Sequence, residues 1–208
     1  NDTFYSDGRL EASLPAGVYV GNIAGFAERH PEQAARYYGQ AAHTNHDAIA
    51  ALNTLFAQDG LVVYVPAGVT LEQPVQLINL FRSTERLMAN RRILFVVEDG
   101  ASAKLLVCDH SMGDTDFLST EVVEIIAGRD AVVDYYDLEE SSIRTRRFSS
   151  LFVEQEAGSN VLVNGITLNN GQTRNNYRAR INGEGAELTL CGMAIEDREQ
   201  RVDTYSHI

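Results

Sequence analysis

Residues 92–110 read RILFVVEDGASAKLLVCDH, an apolar stretch that runs into an acidic, glycine-containing corner and resumes as a second apolar stretch. The pattern recurs in residues 121–139, EVVEIIAGRDAVVDYYDLE, in 149–166, SSLFVEQEAGSNVLVNGI, and in 177–193, YRARINGEGAELTLCGM. Anchored on Ala101, Ala131, Asn160 and Ala186, the copies step by 30, 29 and 26 residues. Each copy is two short segments rich in Val, Ile, Leu, Phe, Tyr and Thr, which favour strands, and none carries helical spacing. A unit of this size cannot bury both its faces unless the next unit stacks on it. Two strands per repeat fit a parallel β-helix, whereas a propeller blade needs four strands over about 40–45 residues. The expectation is therefore a mainly β stacked-coil solenoid over residues 91–208, preceded by a small α/β cap with lead-in strands over residues 1–90.

Within that cap, residues 14–26, LPAGVYVGNIAGF, read as a short strand leaving a turn. Pro31 to Gly39 reads as a brief helix. A second helix over 47–60, DAIAALNTLFAQDG, is expected to bury Ile49, Leu52 and Phe56 on one face, with Asn45 or His46 near its start. Two strands then flank Pro66-Ala67-Gly68, and Pro74 argues against an interior sheet position because it has no N–H to donate. Residues 82–91 read as the hinge into the repeats.

Seventeen basic residues stand against 29 acidic ones, a formal net charge of −12. Nucleic acid and anionic membranes are thereby disfavoured as partners. Lys104 is the only lysine, so positive charge is carried by arginine. The two cysteines, Cys108 and Cys191, lie far apart, and neither a signal peptide nor an apolar run of about 18 residues is written in the sequence. A reduced, cytoplasmic setting is the expectation.

Cys108-Asp109-His110 is the one place where thiol, carboxylate and imidazole are bunched. Alternation along a strand aims Cys108 and His110 to one face and Asp109 to the other, so Cys108 and His110 are the candidate metal or sulfur ligands. The preferred reading is a packed cysteine beside a solvated histidine, so no metal ligand is assigned. Cys191 reads as a core residue. The stretch from His43 to Asp47 reads as helix capping rather than ligation. Arg144, Arg146 and Arg147, and likewise Arg174, Arg178 and Arg180, read as solvated loops and strand edges. Asp134 with Asp137 and Glu139 with Glu140 have no glycosidase context. No G-x-S-x-G elbow and no phosphate-binding loop opens a helix, so no catalytic residue is assigned and no enzymatic activity is expected.

Several strings taken together resemble the SufB/SufD family of iron–sulfur cluster assembly proteins, nearest its SufD branch. They are residues 51–77, ALNTLFAQDGLVVYVPAGVTLEQPVQL, residues 92–106, residues 122–136, residues 182–194, and Gln200-Arg-Val-Asp-Thr204. The resemblance implies a right-handed parallel β-helix core that pairs with SufB, and a C-terminal helical segment that binds the ATPase SufC. It also implies a core fragment lacking the C-terminal part, without the HGAT stretch and the SufC-docking helices, and with an iron–sulfur cluster held only transiently in the full complex and no cofactor of its own. Cys108 falls about where SufB-like members carry a Gly-Cys motif that accepts sulfur, but Val107 precedes it here and Asp109-His110 follow. Two other classes compete: a secreted β-helix enzyme acting on carbohydrate, and a structural solenoid that self-associates, for instance as a homodimer through β-helix edges drawn from residues 175–203. The first would line a groove with charged residues at equivalent positions of successive coils, where Leu105, Tyr135 and Leu190 stand here.

Overall fold

Five residues at equivalent corners, Gly68, Gly100, Asp130, Gly158 and Gly185, all take left-handed φ values between 56° and 73°. A side chain with a Cβ is disfavoured there, which is why four of the five are glycine and the fifth is an aspartate, a residue that tolerates this region. The corners stack: the Gly68 amide donates to the Asp99 carbonyl, Gly100 to Arg129, Asp130 to Ala157 and Gly158 to Glu184. Around this column the computed structural model, which describes residue 10 and residues 13–42, 47–113 and 115–208, winds a parallel β-solenoid of about five turns.

Each turn contributes one strand to each of two sheets. In chain order the strands are β1 (Tyr19–Asn22), β2 (Leu61–Val65), β3 (Val75–Arg82), β4 (Leu87–Val97), β5 (Ser102–Met112), β6 (Phe117–Ala127), β7 (Val132–Glu140), β8 (Thr145–Gln155), β9 (Asn160–Asn169), β10 (Gln172–Ile181), β11 (Glu187–Ala194) and β12 (Arg201–His207). The long sheet has the order β1-β2-β4-β6-β8-β10-β12 and the short sheet β11-β9-β7-β5-β3. Among the described residues only β1 pairs antiparallel, and the other ladders are parallel.

The repeat expected from the sequence is the repeat found, with one shift of register. Ala101 and Ala131 follow the left-handed residue of their corners, and their amides close the turn onto Glu98 and Gly128. In the third copy that position belongs to Ser159, whose amide closes onto Glu156, while Asn160 already pairs with Val132 and Glu187 in the ladder. Equivalent positions therefore step by 30 residues from Ala101 to Ala131 and by 28 from Ala131 to Ser159, the shorter step arising between β7 and β8. The ladder also opens earlier than residue 91: β2 pairs with β4 and β3 with β5, so residues 61–82 form the first turn, and position 90/91 falls inside β4. Pro74 lies just before β3, the edge strand of the short sheet, where a missing N–H breaks no ladder bond.

Inward-facing residues alternate with outward ones. Ile93, Phe95 and Val97 of β4 meet Val123, Ile125 and Ala127 of β6 and Leu151 and Val153 of β8, opposite Ala103, Leu105, Val107, Val133, Tyr135, Val161 and Val163 of the short sheet. Each large apolar side chain so buried contributes roughly 1.5–3 kcal/mol relative to exposure. The long sheet is buried on its outer face as well, which explains unbroken apolar runs such as ILFVV. Helices α1 (Ile23–Arg29), α2 (Pro31–Tyr37) and α3 (Ala48–Phe56) cover that face: Phe26 and Tyr37 pack on Tyr64, Leu94 and Val96, and Ala41, Ala42 and Ala50 on Val122 and Phe152.

The packing of α3 departs from expectation. Phe56 is 52% exposed and Leu55 74%, and the helix is instead seated by polar residues. Asp47 caps it by accepting from the Ile49 and Ala50 amides and accepts from Ser150 Oγ at 2.8 Å. Asn53 Nδ2 donates to the Arg91 and Thr120 carbonyls at 2.9 and 3.2 Å. The sheet beneath offers Val122 and Phe152 to the small Ala50 and polar groups to Asp47 and Asn53, so a close approach with hydrogen bonds selects the buried face rather than the large apolar side chains. Asn45 and His46, expected near this helix start, lie outside the described residues, as do His43 and Thr44. Among the described residues no helix is long and apolar enough to cross a membrane.

Candidate functional site: an ionic chamber inside the solenoid

The interior is divided. The half next to the glycine corners is apolar; the other half, where short-sheet strands end and long-sheet strands begin, is charged. Alternation puts Arg91 of β4 inside two residues before Ile93, Glu121 of β6 inside two before Val123, and Arg147 of β8 inside four before Leu151. From the short sheet the same rule brings in Asp109 two residues after Val107, and Asp137 and Glu139 two and four after Tyr135. All six are buried.

Arg91 holds Asp109 with both ends of its fork, Nη1 to Oδ1 at 2.5 Å and Nη2 to Oδ2 at 2.7 Å, reaches Glu121 at 3.3 Å, and lies over the Phe81 ring. Arg147 is the hub: Nη2 meets Glu121 Oε2 at 2.7 Å and Asp137 Oδ2 at 2.5 Å, Nε meets Asp109 at 3.3 Å, and Nη1 lies 3.8 Å from Glu139. Glu139 also accepts from Ser141 Oγ and Thr173 Oγ1. The sequence reading of Arg147 as a solvated residue is therefore corrected. Arg146 and Arg147 are neighbours on a strand, so only one of them can face solvent, and Leu151 and Val153 assign the inward parity to Arg147. That parity was the signal available for all six residues.

Two arginines against four carboxylates leave two excess negative charges if every group ionises. Burial would push the Asp109 carboxyl up, but Arg91 and Arg147 hold it below its usual range. Burial wins at Asp137, whose pKa rises to about 7 against Arg147's opposing pull, with Glu121 and Asp109 adding to the rise. Burial, then the Asp137 charge, also raises the Tyr135 hydroxyl well above the ordinary phenol range. Chemically the chamber can hold charge and exchange one proton at Asp137 near neutral pH.

The sign of the resulting pH dependence follows. A carboxyl whose folded pKa is raised from 3.8 to about 7 contributes stability that is whole below about pH 4 and is lost as pH climbs to about 7. Asp137→Asn, which mimics the protonated acid, is expected to stabilise the protein by roughly 1–3 kcal/mol at pH 8 and to be near neutral at pH 5. Thermal melts across that range test it; lower stability of the variant at pH 8 would show that the ionised form is the favoured one.

The bunched residues on β5 separate as alternation requires. Asp109 turns into the chamber, and Cys108 and His110 turn to the outer face of the short sheet. Cys108 is buried there, with Gln76 Nε2 3.7 Å from its sulfur. His110 Nδ1 lies 3.2 Å from Glu140 Oε2. Among the described residues no three His, Cys, Asp or Glu side chains converge as a metal site. Cys191, expected in the core, is exposed. Its strand β11 alternates Leu188 and Leu190 inward, so the intervening odd-numbered positions face out.

Two family models match the chain: the SufBD protein N-terminal region over residues 1–77, and the SUF system FeS cluster assembly SufBD core domain over residues 80–208. Among curated relatives, the chain is 25% identical over 208 residues to the chloroplastic protein ABCI7 of Arabidopsis thaliana, covering 95% of this chain and 42% of that protein. Two iron–sulfur cluster assembly SufBD family proteins of Synechocystis also match. One is 33% identical over 121 residues, covering 57% of this chain and 25% of the relative; the other is 24% identical over 204 residues, covering 94% and 45%. The chain thus spans less than half the length of these relatives.

Proposed function

Because the chain belongs to the SufBD family of the SUF iron–sulfur cluster assembly system, we propose that it is the core of a non-catalytic, SufD-like subunit of the assembly scaffold, acting with SufB and SufC homologues. The observation that carries this is coverage by two family models that together span nearly every residue. The coils favour the same reading. Six buried charges in the interior are engaged with one another, and none is aimed at a groove, which suits a rigid body that presents surfaces better than one that turns over a substrate. In this reading a cluster passes through the full complex and is not stored in this part of the chain. The cytoplasmic setting is part of the proposal, in keeping with two cysteines that are both free.

Purification of the tagged full-length protein from its own host without oxygen tests the partners. Co-elution of SufB and SufC homologues in fixed ratio is expected. Recovery of a homodimer alone, with neither homologue, would favour a self-associating solenoid instead.

A further inference from the structure

Successive long-sheet strands begin at one edge of the solenoid, and there the surface charge runs against that of the molecule. The ladder sets Met88, Leu118, Arg146, Gln172 and Arg201 in one outward row across β4, β6, β8, β10 and β12. In front of the row lies a groove of about 680 Å³ whose charged lining among the described residues is Arg86, Arg144, Arg146 and Asp116. Arg144 Nε meets Asp116 at 2.8 Å and Arg86 Nε meets it at 3.2 Å. Arg144 first, then Arg86 and Arg146, hold that carboxyl below its usual range. Two guanidinium groups contact one carboxylate and a third lines the same groove, in a chain of net charge −12.

The groove is also apolar. Met88 is 39% exposed and Ile143, on its rim, 68%. Beyond Ile143 and Gln172 a second groove reverses the sign, with Glu196, Asp197 and Glu199 against Arg198. A uniformly anionic surface such as nucleic acid or lipid would meet repulsion across that rim. A short peptide need not.

We propose that the Arg86–Arg144–Arg146 groove is a docking site for a segment of a partner protein that carries carboxylates beside an aliphatic side chain. Guanidinium forks suit carboxylates in bidentate pairs, and Met88 and Ile143 supply adaptable apolar contact. The adjoining acidic groove sets direction, since only a segment whose charge changes sign past the rim can lie across both. This goes beyond the assembly role proposed above and stands without it.

The full-length protein carrying p-benzoylphenylalanine in place of Met88 is irradiated in its host and the attached peptides are sequenced; a copy with the probe at Ile78, exposed on the short sheet, is the control. The expected product is a peptide of another protein in which Asp or Glu flanks Leu, Ile, Val or Met, specific to position 88. Arg146→Glu should cut its yield by about fivefold or more with melting unchanged, since Arg144 and Arg86 keep their bonds to Asp116. The proposal is overturned by no product above the Ile78 control, by a peptide without carboxylates, by attachment to nucleic acid, lipid or a second copy of this chain, or by a yield indifferent to Arg146→Glu.

Discussion

Arg147→Met is expected to leave the full-length protein largely unfolded near room temperature, or melting far below the parent. The guanidinium touches Asp109, Glu121, Asp137 and Glu139 at once. Without it only Arg91 remains, engaged with Asp109 and Glu121, and Asp137 and Glu139 are left in the interior with no cation. Removing one partner of a buried ion pair costs about 3–5 kcal/mol, because the stranded charge has neither water nor counter-ion. Here four carboxylates share the loss, against a total stability of about 5–15 kcal/mol for a typical domain. Arg147→Lys keeps the charge but not the planar fork, and should fall between parent and Met variant. Circular dichroism melts at pH 7 decide the matter: a Met variant melting within a few degrees of the parent would mean that the chamber contributes nothing to the fold.

Glu124→Ala should release residues 39–42 from the solenoid while leaving the coils wound. This glutamate lies on the outer face of β6, fully buried, and accepts from the Gly39, Ala41 and Ala42 amides and from Arg92 Nη2 at 2.7 Å. It fixes the loop that leads from α2 toward α3. Truncation strands the two buried amides of Ala41 and Ala42 and takes the carboxylate from a buried guanidinium that, among the described residues, keeps only Thr54 Oγ1 as a hydrogen-bond partner, a loss of about 3–5 kcal/mol by the same reasoning. The loss is local, because the β4–β6–β8 ladder does not pass through that side chain. Hydrogen exchange should show fast exchange of residues 39–42 with β6 still protected. Equal loss of protection in both would indicate that cap and coils fold as one cooperative unit.

How far these features could be read in the sequence depended on whether one rule decided them. Glycine corners and β-branched runs gave the solenoid, because a left-handed corner every turn and two short strands between corners leave few other folds. The shift from Asn160 to Ser159 escaped because the corner itself is unchanged and the residues are lost at the far side of the turn, between β7 and β8, where the sequence carries no anchor. The buried face of α3 escaped because apolar periodicity pointed to Ile49, Leu52 and Phe56, while the contact is made by the small Ala50 and by Asp47 and Asn53 through hydrogen bonds that periodicity does not register. The chamber was hidden for another reason. On strands buried on both faces, charged residues next to Arg146 or Glu140 look solvent-facing until inward parity is fixed by a residue such as Leu151 or Tyr135. Applied to every strand, that rule would have placed Arg91, Asp109, Glu121, Asp137, Glu139 and Arg147 inside.

The central claim is that this chain serves iron–sulfur cluster assembly as a structural subunit. Its most direct test is depletion of the full-length protein in its host, followed by assay of enzymes that depend on iron–sulfur clusters, normalised to their protein levels. Specific activities are predicted to fall, to recover with the parent gene, and to stay low with the Arg147→Met gene. Unchanged cluster-dependent activities in fully depleted cells would contradict the claim.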